Sequence, residues 1–157
     1  MGEDMIRVCA SCGQKNRVGA AHLSAHVRCG KCKTAIGPIA EPIDADAEIF
    51  NEVIGGAQVP VLVDFWAAWC GPCVAAAPEV KKVAAEAAGR AIVLKVDTDR
   101  HQEVAARYGV RGIPNFVVLR RGQVVHQQAG VVPHTEMLRW LMLEDGASSD
   151  GERRRGG

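Results

Sequence analysis

From Asp44 onward the apolar positions fall into a regular succession of patterns. In DADAEIFNEVIGG, Ile49, Phe50, Val53 and Ile54 recur at helical spacing, with an Asp available as N-cap and glycines behind, which predicts a short helix. VPVLVDFWA is a continuous apolar run rich in β-branched residues, the pattern of a strand covered on both faces. GPCVAAAPEVKKVAAEAAG is Ala-rich and helical, stopped by Gly89, with Pro78 placed to kink it. AIVLKVDTD repeats the buried-strand pattern, and RHQEVAARYG predicts a third helix ending at Gly109. NFVVLRRGQVVHQQAG reads as two strands joined through RRGQ, with Gly122 in the turn. PHTEMLRWLMLEDG closes the series as an amphipathic helix, Pro133 suiting its first turn. The order α-β-α-β-α-β-β-α implies an α/β fold, a mixed sheet with helices on both faces.

The flanks look different. Residues 1–36 show little apolar periodicity and too few large side chains for a core, yet carry four of the six cysteines. GPIAEPID, with two prolines and a glycine, reads as an extended linker. The expected organisation is a cysteine-rich module over 1–36, a linker over 37–43, a folded domain over 44–144 and a disordered tail over 145–157. The tail, GASSDGERRRGG, lacks large apolar residues, and its arginines read as solvated. A chain of 157 residues has room for one well-buried domain and a small appendage, and a monomer is expected.

Composition narrows the function by exclusion. A net charge of +1 gives no electrostatic argument for nucleic acid or an anionic membrane. The longest apolar run, VPVLVDFWAAW, is too short and interrupted to span a bilayer. MGEDMIRVCA has acidic residues and no apolar stretch, unlike a secretory signal, so a reducing cytoplasm is the expected compartment. There, clustered cysteines point to metal or catalysis rather than to a disulfide framework. No glycine-rich phosphate loop is present, and no bound organic cofactor is expected.

The six cysteines form three CxxC pairs, Cys9/Cys12, Cys29/Cys32 and Cys70/Cys73. The third sits where a buried strand hands over to a helix. A thiol there sees unpaired amides and the positive end of the helix dipole, which stabilise a thiolate. Cys70 comes first and is expected to be the more exposed, hence the candidate nucleophile; Cys73, one turn deeper, would resolve a mixed disulfide. Pro72 holds a helix-compatible φ, and Gly71 admits a substrate backbone at close range. The spacing alone also fits a zinc-ligand pair or an inert core pair; the strand-to-helix context favours redox chemistry. Asp64 interrupts the apolar strand six residues before Cys70. Buried there, rather than facing solvent, it would hold its proton tightly and serve as general base near Cys73.

The outer pairs are separated by sixteen residues, the spacing of a four-cysteine zinc site. Each CxxC turn supplies two thiolates, and one bound zinc would provide the folding free energy that so short a segment lacks. His22 and His26 lie between the pairs; with four thiolates completing the shell, they read as loop residues.

VDFWAAWCGPC, KVDTD and GVRGIP resemble the thioredoxin family over residues 44–143. The resemblance implies the thioredoxin fold and a lowered thiolate pKa at the first cysteine. It implies that Lys95 modulates Asp64 and that Pro114 is cis and packs against the sulfurs. The Ile113 peptide would then pair with an extended substrate, in a groove formed with Trp69, Gly71, Pro72 and Gly130. Val74, where a cation is frequent, and Asn115, where Thr is common, depart from the family pattern. RVCASCGQKNRV and CGKC ahead of such a domain resemble the zinc segment of the bacterial thioredoxin 2 subgroup. The expected activity is thiol-disulfide oxidoreduction on client proteins, with thioredoxin reductase as the electron donor. The alternatives are a zinc-dependent redox sensor and a holdase or binding module.

Overall fold

The computed structural model describes residues 5–146. Its N-terminal part is two small hairpins. Strand β1 (Met5–Val8) pairs antiparallel with β2 (Lys15–Val18), and β3 (Val27–Arg28) with β4 (Ala35–Ile36). Each turn carries one CxxC and is closed in the same way. The amide of Gly13 donates to Cys9 O and that of Lys33 to Cys29 O, while Cys9 N and Cys29 N donate back to Gln14 O and Thr34 O. Gly13 and Lys33 hold the positive φ that each turn needs, 80° and 67°. At Gly13 this geometry meets no Cβ; at Lys33 the side chain is retained and its Nζ donates to Gly30 O at 3.1 Å.

The larger part is a five-stranded sheet. β5 (Ile43–Asp44) leads into α1 (Ala47–Gly56), then β6 (Val61–Trp66), α2 (Gly71–Glu86), β7 (Ile92–Asp97) and α3 (Gln102–Arg107). β8 (Asn115–Arg120), β9 (Gln123–Ala129) and α4 (His134–Gly146) follow. The strand order is β5-β7-β6-β8-β9, with β5 and β6 parallel to β7, and β8 antiparallel to both β6 and β9. Asp46 caps α1, its Oδ1 accepting from Ile49 N at 2.8 Å. Arg121 and Gly122, at φ 52° and 78°, form the hairpin turn between β8 and β9, whose twist suits two left-handed residues.

Alternation along β6 divides the core. Val61, Val63 and Phe65 pack with Phe50 and Val53 of α1 and Val104 of α3, whereas Leu62 packs with Val80 and Val83 of α2 and Met137 and Leu141 of α4. Helices thus cover both faces, and β6 is a rigid strand aimed at the loop that precedes α2.

Two features depart from the apolar pattern. Strand β5, an edge strand of two residues, is too short to show a period, and its Ile43 stands in the stretch read as linker. More consequentially, Val18, Ala20 and Leu23 of the cysteine-rich segment are buried in the same cluster as Phe50, Val61 and Ile92. The segment lacks a large core of its own because its apolar side chains enter the sheet's core. Leu23 O accepts from Ile39 N at 2.9 Å, Gly37 O accepts from Arg7 Nη1 at 3.0 Å, and a Cβ on Gly56 would lie 3.1 Å from Ala20 Cβ. Helix α4 includes positions 145 and 146, which were expected in the tail; the rest of that expectation lies outside the described residues.

Because Leu23 is fully buried against the sheet's helices, Leu23→Ala is expected to lower stability by about 2–4 kcal/mol. Denaturant unfolding followed by tryptophan fluorescence reads this directly. An unchanged midpoint would show that the N-terminal hairpins contribute nothing to the main core.

Candidate active site and metal centre

Strand β6 ends at Trp66 and the chain turns through Ala67–Trp69 to Cys70, which is the N-cap of α2 with extended backbone (φ −89°, ψ 109°). Cys70 Sγ accepts a hydrogen bond from Cys73 N at 3.2 Å, so an amide of the helix's first turn that has no intrahelical partner is directed at sulfur. Pro72 occupies the first turn, where its missing N–H leaves no donor unmet. The two sulfurs form a disulfide across a Cα–Cα distance of 5.2 Å. After reduction the same amide and the positive end of α2 stabilise a Cys70 thiolate. The expected difference in exposure is absent: Cys70 is 4% and Cys73 3% exposed. What separates the sulfurs is place, since Cys70 caps the helix and Cys73 lies inside its first turn.

Around the disulfide, Ala67, Trp66 and Ile113 complete an apolar patch, and Ile113 O lies 3.7 Å from Cys70 Sγ. The Ile113–Pro114 peptide is cis. Gly130, at φ 99°, donates its amide to Pro114 O at 2.8 Å, tying the start of the β9–α4 loop to this turn. Asn115 is buried; its Nδ2 donates to Gly112 O at 3.4 Å and its Oδ1 accepts from Gln127 Nε2 at 3.2 Å. Gly71 has open space where a Cβ would stand, and Trp69 and Val74 are exposed beside it. Trp69 is held by a residue that sequence reasoning missed: its Nε1 donates to Asp99 Oδ2 at 2.8 Å. The quoted KVDTD ends on this Asp, but nothing in spacing links it to a tryptophan thirty positions earlier.

Asp64 is 1% exposed, and neither carboxylate oxygen has a hydrogen-bond partner. It aligns with Lys95 on the neighbouring parallel strand, whose Nζ sits 4.4 Å from the centre of the Trp66 ring. Burial pushes the Asp64 pKa up to about 7, with the Lys95 charge opposing the shift.

At the hairpins, the sulfurs of Cys9, Cys12, Cys29 and Cys32 lie within 4.8 Å of one another. The Cys9–Cys32 and Cys12–Cys29 separations are 3.7 and 3.6 Å, close to the roughly 3.8 Å edge of a tetrahedron with Zn–S bonds of about 2.3 Å. Backbone amides turn towards sulfur here too: that of Lys31 donates to Cys29 Sγ at 3.4 Å. Hydrogen bonding, foremost from the Cys32 amide, holds the Cys29 thiol down at about 6, whereas at Cys12, against the Gln14 amide, burial and the neighbouring sulfurs push the thiol up to about 12. Neither His22 nor His26 joins this sulfur group.

The thioredoxin family model matches residues 41–142, and the model described as thioredoxin 2, N-terminal, matches residues 8–34. The chain belongs to the thioredoxin family. Thioredoxin C-3 of Corynebacterium nephridii is 39% identical over 137 residues, covering 87% of this chain and 93% of that one. Thioredoxin 1 of a Nostoc species is 44% identical over 92 residues, covering 59% of this chain and 86% of that one. Among solved structures, spinach chloroplast thioredoxin f is similar with a TM-score of 0.63 at 27% identity, over 68% of this chain and 88% of that one. The Cys70–Cys73 pair is therefore a redox-active CGPC site, and the chain is a thiol-disulfide oxidoreductase that reduces disulfides in client proteins. The N-terminal cluster is a four-cysteine zinc-ribbon site by both sulfur geometry and family match. Among the described residues, no helix is long and apolar enough to cross a membrane.

The buried carboxyl makes a pH prediction. Folded, Asp64 keeps its proton up to about 7, whereas the unfolded chain releases it near 3.8. Between these values the native state binds the extra proton, so stability falls as pH rises, by an amount on the order of 4 kcal/mol across the window. Asp64→Asn is expected to remove this slope, becoming more stable than wild type at pH 8 and losing that advantage towards pH 4. Urea unfolding of both proteins across this range checks it. A constant difference between them would contradict the assignment.

Proposed function

We propose that the catalytic cycle divides its steps among the residues around the disulfide. In the reduced enzyme the Cys70 thiolate attacks one sulfur of a client disulfide, forming a Cys70–client bond and releasing the other client sulfur as thiolate. Asp64 takes the Cys73 proton, and the Cys73 thiolate attacks Cys70 Sγ. The second client thiolate leaves, the Cys70–Cys73 disulfide forms, and two electrons have passed to the client. The observation that carries this reading is the Cys73 amide bonded to Cys70 Sγ at the N-cap of α2, which favours negative charge on Cys70. A carboxyl with a pKa of about 7 suits proton exchange with a thiol near neutral pH, and Lys95 beside it tunes that value.

Trp69, Gly71, Pro72, Ile113, Pro114 and Gly130 form the surface that receives the client, the Ile113 peptide pairing with an extended strand. The open space over Gly71 and the exposed Trp69 ring support this. Thioredoxin reductase restores the dithiol, and the cycle runs in the reducing cytoplasm. One zinc ion held by Cys9, Cys12, Cys29 and Cys32 keeps these thiolates out of the cycle and supplies folding free energy to the hairpins. Cys12 and Cys32 are exposed, which also leaves room for oxidant sensing at this centre.

Insulin reduction by dithiothreitol tests the division of roles. Cys70→Ser is expected to abolish catalysis. Cys73→Ser is expected to accumulate a covalent Cys70–client adduct, visible by mass spectrometry of the unreduced mixture. Full activity of Cys70→Ser, or an adduct carried by Cys73 in wild type, would overturn the assignment.

A further inference from the structure

Charge is unevenly distributed along this chain. Between Met5 and Ala40 there are six cations, Arg7, Lys15, Arg17, Arg28, Lys31 and Lys33, and no Asp or Glu; Glu3 and Asp4 precede the run. From Glu41 to Gly146, fourteen acidic residues stand against ten Lys and Arg. A zinc ion with four thiolates subtracts two charges and leaves the stretch from Met5 to Ala40 with an excess of about four positive charges. The net charge of the whole chain conceals this asymmetry.

The first hairpin puts part of that charge on a face of defined pattern. Its inward positions are committed: Met5 and Val18 pack with the main core, Arg7 donates to Gly37 O, and Asn16 Oδ1 accepts from Gly30 N at 2.9 Å. The outward positions are Ile6 and Val8, 49% and 59% exposed, paired across the strands with exposed Arg17 and Lys15. Each aliphatic side chain therefore has a cation directly opposite on the same face. Exposed aliphatics so arranged mark a contact surface better than an isolated apolar side chain would.

From this face we infer a docking site for an acidic protein segment carrying aliphatic residues, which cover Ile6 and Val8 while Asp or Glu meet Lys15 and Arg17. Three observations favour this occupant. The cationic run from Met5 to Ala40, which holds no acid, selects negative partners over neutral ones. Residues 5–40 contain no Phe, Trp or Tyr on which bases could stack, and the aliphatic pair suits a protein better than a polyphosphate. A second copy of this chain is a poor match, because several of its acids are already engaged: Asp46 caps α1, Asp99 holds Trp69, and Glu79 accepts from His134 N and pairs with Lys82.

The placement gives such docking a use. The module attaches beside Gly56, the last residue of α1, and Gly89, just past the C-terminal end of α2, whereas Cys70 opens α2. A helix of 16 residues separates the two ends by about 24 Å. A client tethered at the module leaves the disulfide free, and its own disulfide is presented to Cys70 at raised effective concentration.

Binding to zinc-loaded, full-length protein tests this without turnover, so a negative result would leave the reductase reading intact. Fluorescence anisotropy would compare a labelled Glu/Leu-rich peptide, the same peptide with Gln for Glu, and a labelled RNA oligonucleotide. The Glu peptide is expected to bind at least about tenfold more tightly than its Gln counterpart, and to weaken strongly between about 50 and 300 mM salt. The Lys15→Glu/Arg17→Glu and Ile6→Ser/Val8→Ser variants, with zinc content verified, are expected to lose this binding. Equal affinity for the Glu and Gln peptides would overturn the proposal, as would tighter binding of RNA or self-association that excludes the peptide. Should a variant fail to hold zinc, the wild-type peptide and salt comparisons decide alone.

Discussion

One hydrogen bond organises the active site: the Cys73 amide reaching Cys70 Sγ at the N-terminus of α2. A sulfur at that position gains a donor and the positive end of a helix, and it gains them only if strand, loop and helix keep their relative placement. Strand β6, packed on both faces, provides the fixed end of that arrangement. The cis Ile113–Pro114 turn and the Trp66 side chain pack against the same sulfurs, and Trp69, anchored to Asp99, stands exposed beside them. The chemistry of the site is in this sense a property of backbone placement more than of the two side chains.

The outer cysteines show the converse. Their spacing along the chain is the same, but each pair occupies a hairpin turn, and the two turns face each other. There the amides again point at sulfur, yet four thiolates converge within reach of a single cation, which satisfies them collectively. Asp64 adds a third use of an unfavourable group. A carboxyl buried without a hydrogen-bond partner destabilises the neutral-pH fold, and the raised pKa that results is what the proposed proton exchange with Cys73 draws on.

Much of this was legible in the sequence. The helices and long strands follow from apolar spacing, because period 3.6 and continuous β-branched runs survive without knowledge of the fold. The separation of redox and metal cysteines follows from what flanks each pair. Asp64 stood out as a charge within a buried strand. The cis geometry at Pro114 came through family resemblance, since nothing local distinguishes it from a trans proline. Other features depend on contacts distant in sequence. Leu23 reads as a solitary apolar residue in a polar segment, and its burial depends on α1 and on Ile39 arriving from elsewhere. Asp99 under Trp69 and the equal burial of the two active-site sulfurs arise only once the loops have packed. The cation–aliphatic face of the first hairpin was hidden because a whole-chain charge averages opposite halves.

The account rests on a difference in environment between sulfurs of identical spacing, and a redox titration with each cysteine followed separately measures that difference. Samples poised at successive potentials would be alkylated, analysed by mass spectrometry, and assayed for zinc. Cys70 and Cys73 are predicted to convert together between dithiol and disulfide, while Cys9, Cys12, Cys29 and Cys32 stay reduced and zinc remains stoichiometric across that transition. Reduced protein free of zinc, or outer pairs that oxidise in step with Cys70 and Cys73, would contradict it.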